Sequence, residues 1–232
     1  IYTVEEFGGF SFYFIMTTTV SIIVTARYEM AVMLPKSERI AKALVHSTLI
    51  LSLFISVLLT LMVFVLEYII DLEYIYFVIL SAFFFGTFNL SIAWLNRLTH
   101  YNYLTLLLVT QQLLIALFKV FIFDLWSEGN PLVVGHTFGL VLSALISIAF
   151  LLKTFNANTF SAQKLNSRAY YKKKYILIPF AVIRKYKKFP MYNLPFSLLV
   201  AFSNGFIITI LIVYGFTAVA GLVGLSRTLV YA

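Results

Sequence analysis

The chain contains no cysteine. Disulfides, thiolate metal sites and thiol nucleophiles are therefore excluded. Charge is scarce too. Asp, Glu, Lys and Arg make up 11% of the residues, against roughly a quarter in soluble domains. With 62% hydrophobic residues, too little polar surface remains to face water around a soluble core. Short alternating apolar and polar segments, the mark of a membrane β-barrel, are also missing. What is left is an all-α polytopic membrane protein, a multi-helix transmembrane bundle.

Enzyme signatures are absent as well. There is no Gly-rich phosphate loop and no HExxH motif. His46, His100 and His136 are far apart and lack metal-ligand spacing. No catalytic residue, metal or cofactor is expected. His46 and His136 each fall near a helix start, where a hydrogen-bonded structural role is the simpler reading.

One long stretch lacks acids altogether. Lys153 to Tyr192 holds Lys153, Lys164, Arg168, Lys172, Lys173, Lys174, Arg184, Lys185, Lys187 and Lys188, and no Asp or Glu. Such a block does not cross a bilayer cheaply. It divides the chain into two hydrophobic parts.

A helix needs ~20 apolar residues to span a ~30 Å hydrocarbon layer. Spans are expected at about 7–26, 43–66, 72–95, 103–123 and 132–152 before the block. After it come 194–214 and a truncated helix from about Gly221. These give an N-terminal bundle over 1–155, a basic connector over 156–193 and the start of a second bundle over 194–232. Asn130 is a candidate N-cap, with Pro131 at the first helical position. Residues Tyr175 to Phe189 alternate apolar residues with bases and are expected to lie along the interface. Since the chain begins in a loop-like stretch and ends inside an apolar run, a fragment of a longer protein is expected. At least one helix would precede Ile1 and more would follow Ala232.

The loops 27–42, 96–102 and 153–193 hold fifteen of the seventeen Lys and Arg residues. The loops 67–73, 124–131 and 215–220 hold acids or nothing. The net charge of +8 is thus a topology signal rather than a nucleic-acid footprint. By the positive-inside rule the basic loops are cytoplasmic.

Only Lys119 and Arg227 fall outside the basic loops. Lys119 lies near the outer end of its helix. It either snorkels to the headgroups or lines an internal polar path. Arg227 is expected to open the last helix near the outer face. Asn89, Asn96, Gln111, Gln112 and Asn204 punctuate the spans, and each can simply bond across helices. Gly135 and Gly139 form a GxxxG spacing that favours close helix contact. Arg27 and Glu29 close the first span, either as an interfacial anchor or as a gate or headgroup entrance.

Four short motifs, in order, carry a resemblance. Tyr2-Thr3-Val4-Glu5-Glu6-Phe7-Gly8 resembles the outer loop after the first helix of bacterial oligosaccharide flippases of the Wzx type. Arg27-Tyr28-Glu29-Met30-Ala31 followed by Leu34-Pro35-Lys36-Ser37 is similar to their first cytoplasmic loop. Phe189-Pro190 with Tyr192-Asn193 and Pro195 resembles the approach to their seventh helix. Gly221-Leu222 followed by Arg227 resembles the start of their eighth. The resemblance implies the MATE/MOP exporter superfamily, with two helical bundles facing a central cavity. This chain would supply helices two to six of the first lobe and the start of the second.

It also implies a bacterial inner-membrane protein that moves undecaprenyl-pyrophosphate-linked oligosaccharide outward by alternating access, for O-antigen, exopolysaccharide or capsule synthesis. Its partners would be that lipid-linked substrate, membrane lipids, a glycan polymerase and a chain-length regulator, and no nucleic acid. Lys119 and Arg227 are then candidate pyrophosphate contacts, with Arg97, Arg27, Glu29 and Asn204 as further substrate-binding candidates. The alternatives are an ion-coupled small-molecule or multidrug exporter of the same superfamily, and a membrane glycan polymerase or ligase. An acid buried mid-helix would favour the exporter, and the sequence displays none. A polymerase or ligase needs a sizeable outer loop, which the short outer loops do not provide. A pure scaffold ranks last.

Overall fold

The computed structural model describes residues 2–66, 74–125, 129–162 and 178–231. The expected acidic loop 67–73, Glu128 and the bases at 164–174 lie outside the described residues. Within them the chain forms helices and short turns. In order these are α1 (Val4–Thr25), α2 (Tyr28–Ala31), α3 (Glu38–Leu66), α4 (Ile75–Arg97), α5 (Tyr101–Leu125), α6 (Pro131–Ala162), α7 (Ile178–Lys185), α8 (Lys188–Val213) and α9 (Thr217–Tyr231). Six of them, α1, α3, α4, α5, α6 and α8, are long and apolar enough to cross a membrane. The architecture is that of a multi-pass helical membrane bundle. Successive long helices run in opposite directions, so Arg27, Arg97 and Lys188 gather at one end, called here the basic end.

The sequence explains why these segments are helical. In hydrocarbon every backbone N–H and C=O must be satisfied within the segment, which a helix does. Ser and Thr hydroxyls inside the spans donate back to carbonyls three or four residues earlier, as Thr25 does to Ser21 at 3.0 Å and Thr48 to Leu44 at 2.8 Å. The apolar residues left exposed, among them Leu53, Phe54, Leu61 and Phe64 on α3 and Leu117, Val120 and Phe121 on α5, form faces suited to lipid rather than water.

Several helix ends differ from expectation. Helix α1 starts at Val4 rather than Phe7, because Thr3 and Glu6 form a capping box. The Glu6 N–H donates to Thr3 Oγ1 at 3.2 Å, and the Thr3 N–H donates to Glu6 Oε2 at 2.6 Å. Helix α6 continues ten residues past the expected Leu152, since nothing in Lys153–Ala162 stops a helix once it leaves the hydrocarbon. The short α7 is anchored by Val182, which joins a buried cluster with Tyr28, Leu44, Leu90, Trp94 and Leu151. Helix α8 begins at Lys188, not Leu194, and carries Pro195 inside it. Helix α9 begins at Thr217, four residues before Gly221, right after a turn through Gly215 at φ +80°.

Helix α1 is the central element. It packs on α3, α4, α8 and α9. Its seam with α9 is backbone-close: a Cβ added to Gly8 would stand 2.2 Å from the Thr217 carbonyl oxygen, and one added to Gly221 2.1 Å from that of Val4. Helices α5 and α6 meet the same way. A Cβ at Gly135 would stand 2.7 Å from Lys119 Cα, and one at Gly139 2.6 Å from Ile115 Cα. In lipid no hydrophobic force drives helices together, so such close approach supplies the packing energy.

Candidate functional site

At the basic end, α1 does not simply stop. Ala26 and Arg27 both adopt the left-handed backbone conformation, at φ 47° and 60°. For residues with a Cβ this costs about 1–2 kcal/mol each, and glycine would avoid it. The two turns fold the one-turn helix α2 back against α4. They carry Arg27 and Glu29 into a cavity of about 270 Å³, whose wall is completed by Met30 and by Asn89, Ile92 and Ala93 of α4.

Glu29 is only 6% exposed. The Arg27 Nη1 to Glu29 Oε1 contact is 3.3 Å, long for a charge-assisted bond of 2.7–2.9 Å. Arg27 Nε and Glu29 Oε2 are buried and have no hydrogen-bond partner. Bringing an ion pair out of water costs several kcal/mol unless its remaining donors and acceptors are also satisfied. Here two are not. A strained backbone, a half-made ion pair and a cavity thus coincide at one place.

The other candidates have separate partners. The Arg97 guanidinium is engaged by backbone carbonyls. Its Nη1 donates to the carbonyls of Val32 at 3.0 Å and Met33 at 3.3 Å, and its Nη2 donates to that of Pro35. Arg97 therefore fastens the loop after α2, where the turn toward Pro35 leaves carbonyls without helical partners. Lys119 does not reach outward. Its ammonium lies over the Phe10 ring of α1, 3.9 Å from the centroid, a cation–π contact across the helix interface. Arg227 is not at the opening of its helix but is the eleventh residue of α9. At ~1.5 Å per residue that is about 15 Å along the axis. Its Nη1 donates to the Asn204 carbonyl of α8, so these two candidates are brought together, while the Asn204 side chain is exposed.

Some polar features are not singled out by the sequence. Asn89 is one of several polar residues in the spans, and only the fold sets it opposite Arg27 and Glu29. Tyr13 is counted there with the apolar residues, yet its hydroxyl is the hub of a buried network. It lies 2.6 Å from Ser81 Oγ, 3.0 Å from Thr137 Oγ1 and 3.2 Å from His136 Nδ1. His136 thus has the hydrogen-bonded structural place expected of it. Its ring also packs edge-on against Phe10 and Phe14. A second depression, on α5 between Leu113 and Leu125, is lined by apolar residues alone.

Comparison of the chain with protein-family models, with curated proteins and with solved structures finds no match.

Proposed function

We propose that the protein is a flippase that carries undecaprenyl-pyrophosphate-linked oligosaccharide from the cytoplasmic to the outer leaflet, as the first lobe and the start of the second lobe of a MATE/MOP-like exporter. The observation that carries this reading is the Arg27–Glu29 pair, with Glu29 buried and Arg27 partly so, beside a cavity at the basic end. An ion pair held out of water with a donor and an acceptor unmatched is expensive, and such unmatched groups call for a functional explanation. By the positive-inside rule this end faces the cytoplasm, where lipid-linked glycans are made. The sugars and the pyrophosphate cannot cross hydrocarbon unaided, because burying unpaired polar and charged groups is prohibitive. A polar path between helical lobes lowers that cost while the lipid tail stays in the bilayer.

The packing of α8 and α9 on α1 supports a lobe boundary along α1. Gly8 and Gly221 bring α1 and α9 into backbone contact, and Gly205 of α8 receives the Ile15 side chain of α1. On this reading Arg227, the eleventh residue of α9, meets the pyrophosphate on its way across, and Lys119 remains a second candidate nearer the opposite end.

A second reading, an ion-coupled exporter of the same superfamily, gains from one observation. Glu29 is a buried acid, which the sequence placed at the interface.

Deleting the full-length gene and labelling lipid-linked glycan leaflet by leaflet tests the proposal. Glycan should accumulate on the cytoplasmic side, with surface polysaccharide lost. Single repeat units that reach the outer leaflet and stay unpolymerised would refute it in favour of a polymerase. Normal glycan in both leaflets, with export of a small molecule lost, would point to the exporter.

A further inference from the structure

We infer that the Arg27–Glu29–Asn89 cavity takes a neutral, polyhydroxylated ring, a sugar of the translocated glycan, and not its pyrophosphate. This rests on the flippase reading and assigns the two parts of the substrate to different places.

Charge is the first argument. Among the described residues Arg27 and Glu29 are the only ionisable ones in the cavity wall, and their charges cancel. A pyrophosphate would gain one guanidinium and meet one carboxylate at short range. Like charges at short range repel. Among the described residues Arg227 has no acidic partner, and it is the better anion contact.

Hydrogen-bond valence is the second. The unmatched pair consists of one donor, Arg27 Nε–H, and one acceptor, Glu29 Oε2. A phosphate oxygen accepts only and would leave Oε2 unmatched. An ammonium donates only and would leave Nε unmatched. A hydroxyl does both, and two neighbouring hydroxyls can serve both atoms at once. The Asn89 amide adds another donor and acceptor from α4. Both atoms are buried, so the pair must part for a ring to reach them. Its single 3.3 Å contact makes that easier than breaking a bidentate bridge.

Shape is the third. Met30, Ile92 and Ala93 give the cavity an apolar part beside its polar groups. A sugar ring has the same two characters, hydroxyls at its rim and C–H groups on its face. A volume of about 270 Å³ equals about nine waters at ~30 Å³ each, enough for one ring rather than a whole repeat unit.

The test uses the full-length protein in membrane vesicles, with Ala93→Cys as its only thiol, and reads the rate of maleimide labelling. The probes are the free oligosaccharide released from the cell's own lipid-linked intermediate, and inorganic pyrophosphate. The oligosaccharide should slow labelling and pyrophosphate should not. Adding Glu29→Gln leaves the wall with a net positive charge. Protection should then need at least about tenfold more oligosaccharide, the loss expected for one hydrogen bond to a charged group, and pyrophosphate should begin to protect. Should that variant misfold, Asn89→Ala should weaken the sugar effect without any gain for pyrophosphate.

Protection of the Ala93→Cys protein by pyrophosphate overturns the inference. So does sugar protection that Glu29→Gln leaves unchanged, and so does no protection by either probe. Flipping is measured on the same vesicles. Flipping without sugar protection removes only the assignment of this cavity, whereas no flipping of any lipid-linked glycan removes the function on which it rests.

Discussion

Two adjacent glycines should respond oppositely to the same substitution. Gly8 and Gly9 both lie in the first half of α1, so changing either to alanine gives the same gain in helix propensity, up to about 1 kcal/mol. What they face differs. A Cβ at Gly8 would stand 2.2 Å from the Thr217 carbonyl oxygen and 3.2 Å from Thr217 Cγ2. A Cβ at Gly9 would meet only the Asn130 amide nitrogen, at 3.2 Å. The first contact is with backbone and falls ~0.8 Å short of the 3.0 Å that real Cβ atoms respect, so α1 and α9 must separate by nearly that much. Overpacking of this kind costs about 1–3 kcal/mol. The second contact needs a shift of only a few tenths of an ångström from one side-chain atom, although that amide is held by Glu6 and Leu132. Because the propensity term is common to both, Gly8→Ala should be less stable than Gly9→Ala by about 1–3 kcal/mol. At about 2–4 °C per kcal/mol for a chain of this size, thermal unfolding of the purified full-length protein should resolve the difference. Equal melting temperatures, or a lower one for Gly9→Ala, would refute the α1–α9 seam.

Three further outcomes follow from the same geometry. A Cβ on Gly224 would stand 3.1 Å from Ser11 Cβ, close to the ~3.5–4.5 Å of a disulfide. Ser11→Cys with Gly224→Cys should therefore cross-link under mild oxidation and stop flipping until reduced, and a pair that stays fully labelled by maleimide would contradict the packing. Arg97→Lys should cost about 2–4 kcal/mol of stability, since a point ammonium cannot replace a fork that serves three carbonyls. The flipping rate per folded molecule should hold, and a selective loss of flipping at normal stability would return Arg97 to the substrate path. Asn130 caps α6 through the Leu132 N–H at 3.0 Å and also donates to the Glu6 carbonyl at 2.7 Å. Asn130→Ala should lose about 1–3 kcal/mol in thermal unfolding, and Asn130→Asp, which keeps the cap, less.

The membrane spans were legible because apolar runs of the required length are unambiguous in a chain this poor in charge. Asn130-Pro131 was legible as a helix start because cap chemistry is local. The Thr3–Glu6 capping box is equally local, but counting apolar residues sets the start of α1 at Phe7 and passes over it. Continuation of α6 beyond Lys153 was hidden by treating a charge as a helix end, when it marks only where the hydrocarbon ends. The functional site was legible in part. Arg27 and Glu29 stand out at the close of the first span, yet nothing local says that two left-handed residues turn Glu29 inward. Asn89 joins them through tertiary packing alone. Arg97 and Lys119 look like free cations in the sequence because their partners, loop carbonyls and the Phe10 ring, lie 62 to 109 positions away.

The most direct measurement reconstitutes the full-length protein in liposomes that contain fluorescent undecaprenyl-pyrophosphate-linked oligosaccharide and follows its transfer between leaflets with a membrane-impermeant quencher. The account predicts transfer well above that of protein-free liposomes, reduced by Arg227→Ala and by Glu29→Gln at equal amounts of folded protein. Transfer no faster than in protein-free liposomes, with the protein folded and correctly inserted, would contradict it.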